Sequence, residues 1–357
     1  AGITSAVMGS NTITLNALSE GTYSDCTIVV TDTFGNVSKT LTISPFEIDT
    51  TSPTVSEVTA VTDPTNDTTP NYTFSSNEAG TITFGGSYAS NTTSADSSNN
   101  TIALTNTSLG NLAEDNYTNC KVRVTDAAGN VSSWRDISDF EIDTDAPDLE
   151  LVTPVKTPTN DTTPNYSFKS TQSGRVEYTG PCKADNASIT ASDNITITLE
   201  GSDGNALAHG GPYDNCTITV TDNASNDSVT LTSGPFSIDT VRPTVTSTSP
   251  SNSDNITSVS SSISVTFSES MDNISTNTNT SCDKTLQLSL DDFSNCIQMS
   301  SSTPSSSDNR TFTLDPSDNL SFDATYKIKV TTSARDLAGN NLASDNTTAT
   351  GFKTRYW

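Results

Sequence analysis

The residues of this chain whose types and spacing can do chemistry are its carboxylates and its thiols. Acidic side chains number 42 against 16 basic ones, for a net charge of −26 over 357 residues. They recur at fixed places. Asp49, Asp143 and Asp239 close Phe-x-Ile-Asp segments, Asp32, Asp126 and Asp222 follow the segments that carry Cys26, Cys120 and Cys216, and Asp67 and Asp161 sit in Asn-Asp-Thr-Thr-Pro turns. Carboxylates gathered with backbone carbonyls suit Ca²⁺, a hard cation that takes six to eight oxygens. These eight Asp are therefore candidate calcium ligands at joints between domains. The competing reading is turn formation, because an Asp side chain readily bonds its own backbone. None of them follows the EF-hand spacing.

The elements that must position these groups come from an internal repeat. Phe46-Glu-Ile-Asp-Thr50 returns at Phe140–Thr144 and, with Ser for Glu, at Phe236–Thr240; the Asp positions are 94 and 96 residues apart. Asn66-Asp-Thr-Thr-Pro-Asn-Tyr72 returns at Asn160–Tyr166, and Tyr-x-x-Cys stands at Tyr23, Tyr117 and Tyr213. A period of that size is a repeated small domain. Within it, short apolar-alternating runs alternate with Gly, Pro, Asn and Asp: Thr54–Val61, Asn71–Ser75, Thr81–Phe84, Thr101–Leu104, the Cys120 run and Phe140–Ile142. Strands at such spacing predict an antiparallel sandwich, and a period near 95 matches an immunoglobulin-like domain. The fold class is thus all-β, as tandem immunoglobulin-like antiparallel β-sandwiches arranged like beads on a string. The divisions fall at 1–52, 53–146, 147–242 and 243–357. The first is the back half of a repeat only (Thr12–Leu15, the Cys26 run, Phe46–Ile48). Its Ile13, Leu15, Ile28, Val30, Phe46 and Ile48 call for a partner sheet, either an upstream front half or a strand donated by a neighbouring subunit. The last, with Ser262–Phe267, Arg310–Leu314 and Tyr326–Val330 alternating, is a second kind of sandwich.

Six Cys without a C-x-x-C pair, beside a single His, do not make a structural zinc site. Disulfides are the better reading and imply an oxidising compartment. The repeats indicate the pairing. Tyr178-Thr-Gly-Pro-Cys182 aligns with Phe84-Gly-Gly-Ser-Tyr88, and Cys182 and Cys216 both fall on core parity, so these two pair. Cys282 and Cys296 pair within the last domain. Cys120 is left as a buried free thiol, and Cys26 is free or paired outside the chain.

Through Asn-Asp-Thr-Thr-Pro, Val124-Thr-Asp-x-x-Gly-Asn-Val131 and Ile142-Asp-Thr-x-x-Pro147, residues 1–242 resemble the bacterial immunoglobulin-like modules of large surface adhesins. Through Val265-Thr-Phe-Ser-Glu-Ser-Met271 and Ala334–Asn340, the last domain resembles the immunoglobulin-like domain named after the surface-layer protein SbsA. The resemblance implies a bacterial cell-surface or secreted setting and calcium at the joints. In one respect the chain departs from the antibody pattern: its Tyr lies three residues before the Cys rather than two, so that corner's hydrogen bond is not expected.

Other chemistries find little support. An acidic surface repels nucleic acid and anionic membranes, and no segment approaches the ~20 apolar residues of a membrane span. His209 in Ala-His-Gly-Gly-Pro lacks a defined nucleophile and reads as an exposed loop histidine. Trp134 and Trp357 are too few for a sugar platform. No enzyme is expected. The sequence reads as a structural module of an extracellular bacterial surface fibre or filament. Its partners would be adjacent immunoglobulin-like modules of the same or a neighbouring subunit, in a homopolymer or large surface assembly. Two alternatives stand beside this: a ligand-binding adhesin tip, and accessory domains of a secreted hydrolase whose catalytic part lies elsewhere.

Overall fold

The computed structural model describes residues 5–355, so Trp357 lies outside the described residues. Among the described residues there are strands and turns and no helix. The chain divides into two compact units, Ala1–Asp145 with Asn223–Asn226, and Ala146–Asp222 with Asp227–Trp357.

In the first unit, one three-stranded sheet runs Val55–Thr59, Asn71–Ser76, Asn99–Ala103. It faces a four-stranded sheet of Arg135–Asp136, Lys121–Thr125, Gly80–Gly85 and Ser94–Ala95. Asp115–Tyr117 and Phe140–Ile142 form a further antiparallel pair. The period of two does the sorting. Val122 and Val124 stand opposite Phe84 and Ile82 and are fully buried, as are Tyr72, Phe74 and Ile102 from the other sheet. Two inner faces of β-branched and aromatic residues thereby enclose one core. Tyr117 stacks on Phe140 with ring centroids 5.1 Å apart, and its hydroxyl donates to the Ala113 carbonyl at 3.0 Å. Tyr23 and Tyr213 make the same pair of contacts, with Phe46 and the Ser19 carbonyl and with Phe236 and the Ala208 carbonyl. A tyrosine corner therefore exists here despite the shifted Tyr–Cys spacing. Stacking on the last strand fixes the ring and brings the hydroxyl to the upstream backbone.

Among the described residues the back-half repeat has two small strand pairs, Gly21–Tyr23 with Phe46–Ile48 and Thr27–Ile28 with Leu41–Thr42. The strand expected at Thr12–Leu15 does not form. In the complete repeat its counterpart, ending at Leu104, pairs with Asn71–Ser76, and the described part of the back half has no such neighbour. Ile13 and Leu15 are exposed, and Ile28, Phe46 and Ile48 are half-buried where Val122, Phe140 and Ile142 are closed off.

The second unit holds the second repeat and the last domain. The repeat reproduces both sheets, Leu149–Thr153, Asn165–Ser170, Ser192–Thr198 against Ser188–Ile189, Gly174–Thr179, Thr217–Thr221, Leu231–Thr232. Cys182 and Cys216 are joined across its core, and Cys282 to Cys296 in the last domain; Cys120 is buried and Cys26 half-buried, both free. In the first repeat Tyr88 occupies the place of Cys182, buried, with its hydroxyl on the Lys121 carbonyl at 2.7 Å. The last domain packs Val245–Ser249, Ile263–Phe267, Thr311–Leu314 against a sheet built on Leu286–Ser289, Thr325–Val330 and Phe352–Arg355 around its own core. Its Thr257–Ser258 strand runs parallel to the end of Phe352–Arg355.

Candidate metal centres at the joints

At two places where one sandwich ends and the next begins, three acidic side chains come together. At the end of Lys121–Thr125 the chain must reverse, and Asp126-Ala-Ala-Gly-Asn130 does so with Gly129 at φ +96°, a conformation that suits Gly. Asp126 organises the turn: its Oδ1 accepts the Gly129 and Asn130 amides at 2.7 and 2.9 Å, and its Oδ2 accepts the Asn130 carboxamide at 2.9 Å. Glu78 lies in the hairpin between Asn71–Ser76 and Gly80–Gly85, held by the Ser76 hydroxyl on its carbonyl at 2.6 Å. Asp49 closes Phe46–Ile48, with the Thr51 amide on its Oδ1 at 3.0 Å. One carboxylate oxygen from each of Asp49, Glu78 and Asp126 lies within 4.8 Å of the others.

In the second unit Asp239, Glu269 and Asp336 repeat this arrangement within the same limit. Asp336 is buried and organises Asp-Leu-Ala-Gly-Asn340 by the same bonds, 2.7, 2.8 and 2.9 Å. Asp239 takes the Val241 amide at 3.0 Å, and His209 Nδ1 lies 3.5 Å from it. His209 is about half exposed and accepts the Thr240 amide at 3.2 Å. No Lys or Arg ion pair reaches either triad among the described residues.

Three like charges without a counter-charge disturb one another. Desolvation raises the Glu78 carboxyl above its ordinary value, and the Asp49 and Asp126 carboxylates raise it further. Glu269 is raised for the same reasons, first by burial, then by Asp239 and Asp336. Asp126 moves the other way. Burial pushes it up, but the Asn130 carboxamide and the turn amides hold it below the usual range. A divalent cation would remove the repulsion, and three carboxylates are a hard-oxygen set suited to calcium.

Of the residues proposed from sequence, Asp49, Asp126 and Asp239 enter the triads. Asp32 keeps to its own turn, accepting from Phe34, Asn36 and the Asn36 carboxamide. Asp67 and Asp161 cap their turns through the Thr69 and Thr163 amides at 2.9 Å, and Asp143 takes the Asp145 amide. Asp222 is buried at the end of Thr217–Thr221. Glu78, Glu269 and Asp336 escaped sequence reasoning, although the repeated Asp-x-x-Gly-Asn turn already marked Asp336. In the second repeat Gln172 stands where the first has Glu78.

Fold and joints together define a chain of immunoglobulin-like sandwiches. A family model for a bacterial Ig-like domain (Big_5) matches residues 239–354, a span that begins at Asp239 and contains all three carboxylates of the second triad. No curated protein matches the chain.

Proposed function

We propose that this chain is a structural part of an extracellular bacterial surface fibre, in which sandwiches in series span distance and calcium stiffens the joints. The observation that carries the reading is the recurrence of one joint between unlike partners. The same turn, carboxylate triad and short connection link the back-half repeat to the first repeat and the second repeat to the bacterial Ig-like domain. Two joints built alike between different domains suit a spacer; an isolated ligand site would not require them.

Two disulfides fit an oxidising, extracellular compartment. A net charge of −26 keeps such an array soluble and lets it concentrate dications. Asp49, Glu78 and Asp126 hold one calcium, and Asp239, Glu269 and Asp336 another. The half-buried face of the back-half repeat pairs with strands of another module, either along the same polypeptide or from a neighbouring subunit, as part of a larger assembly. Electron micrographs of the native particle test this reading. Filaments or stalks with a bead every few nanometres support it, and a compact globular particle refutes it.

A further inference from the structure

The carboxylate triads leave a second feature of the joints unused. In the last domain the Asn340 carboxamide, already bound to Asp336, also donates to the Asp239 backbone carbonyl at 2.7 Å. Asn130 does the same to the Asp49 carbonyl at 3.2 Å, and Asn226 to the Asp143 carbonyl at 2.9 Å inside the first unit. A reciprocal bond comes from the Asn-Asp-Thr-Thr-Pro turn. The Asn160 amide donates to the Ala338 carbonyl at 3.1 Å, and the Asn66 amide to the Ala224 carbonyl at 3.1 Å. Both alanines are 3% exposed, so the turn is closed over by its partner. Gly339, at φ +104°, has the Asn160 carboxamide 3.5 Å from where a Cβ would sit.

We infer that these two turns, repeated through the chain, are a docking pair. The leading turn Asp-x-x-x-Asn of one module is an interaction element whose partner is the trailing end of another such module, namely its Asn-Asp-Thr-Thr-Pro turn and its Ile-Asp-Thr strand end. The pairing needs no cation, because every bond is between an amide donor and a carbonyl acceptor. Asp32–Asn36 is a further copy. Its internal bonds are intact at 2.8 and 2.9 Å, while the second amide hydrogen of Asn36 has no carbonyl partner among the described residues and Phe34 stands 91% exposed. That turn is the open half of a joint, and its partner is the trailing end of another immunoglobulin-like module.

This inference deepens the fibre reading and rests on it, but it can fail separately from the calcium sites. Backbone hydrogen exchange of the whole chain, in EDTA throughout, separates them. The Asn160 amide reports joint opening, since its acceptor is across the joint, and the Phe267 amide, bonded to the Arg310 carbonyl, reports the last domain's integrity. Loss of one net hydrogen bond should let Asn340→Ala speed exchange at Asn160 by roughly three- to tenfold, with Phe267 unchanged. Asn36→Ala removes the equivalent turn bond without a joint and should leave Asn160 as it is. Glu269→Gln should not speed it. Unchanged exchange at Asn160 in Asn340→Ala overturns the docking pair. So does equal acceleration at Phe267, which would make Asn340 a fold residue of its own domain.

Discussion

Replacing Cys182 and Cys216 together by Ala should unfold the second repeat far more easily while sparing the first. The bond closes a sequence separation of 34 residues across a core whose other members are apolar. Loop-closure entropy for a loop of that length gives about 3.8 kcal/mol at 25 °C. For a domain of this size each kcal/mol moves the midpoint by roughly 4–8 °C, so the transition should fall by roughly 15–30 °C. The first repeat is the internal control. There Tyr88 fills the equivalent place, T-shaped on Phe84 with centroids 5.5 Å apart and bonded to Lys121, and nothing in it depends on a disulfide. Differential scanning calorimetry of the whole chain, with and without the double substitution, reads both transitions. A second-repeat transition that stays in place, or a first-repeat transition that moves as far, would refute the reasoning.

Burial pushes the Cys120 thiol up to about 11, so it should resist iodoacetamide at pH 8 in the native protein and react fully in denaturant, as mass spectrometry will register; half-buried Cys26 should react first. Turn hydrogen bonds hold Asp203, Asp291 and Asp308 below their ordinary value of 3.8; Asn205 and Asn295 are the leading donors to the first two, and the Thr311 amide to the third. Groups lowered in the folded state stabilise it above their unfolded value. Stability should therefore hold down to about pH 4 and fall below it, which a pH series of urea midpoints will detect. Calcium titration calorimetry should find two sites per chain, with Glu78→Gln and Glu269→Gln each removing one; both variants binding like the parent would remove the triads from consideration.

The parts of the fold that were legible in sequence are those where one residue type has one physical use. Alternation marked Val122, Val124, Tyr72 and Phe74 as core, and all four are closed off. The comparison of Tyr88 with Cys182 needed only the repeat. The strand at Thr12–Leu15 was misjudged because alternation reports a wish to pair, while pairing requires a neighbour. The tyrosine corner was missed because hydroxyl reach depends on how the ring stacks on Phe46, Phe140 and Phe236, which spacing from Cys does not encode. The triads were half legible. Asp49 and Asp126 recur with the repeat, but Asp is also the natural turn former, and Asp67 and Asp161 accept the Thr69 and Thr163 amides of their own turns. Glu78 carries no local signature, since its place in the triad comes from a hairpin meeting a different module's last strand.

Small-angle scattering of the whole chain, in calcium and then in EDTA, tests the central claim most directly. Stiffened joints predict that EDTA changes the curve toward a more flexible or more compact particle, and that calcium restores it. Superimposable curves at all conditions would contradict the account and reduce Asp49, Asp126 and Asp239 to turn formers.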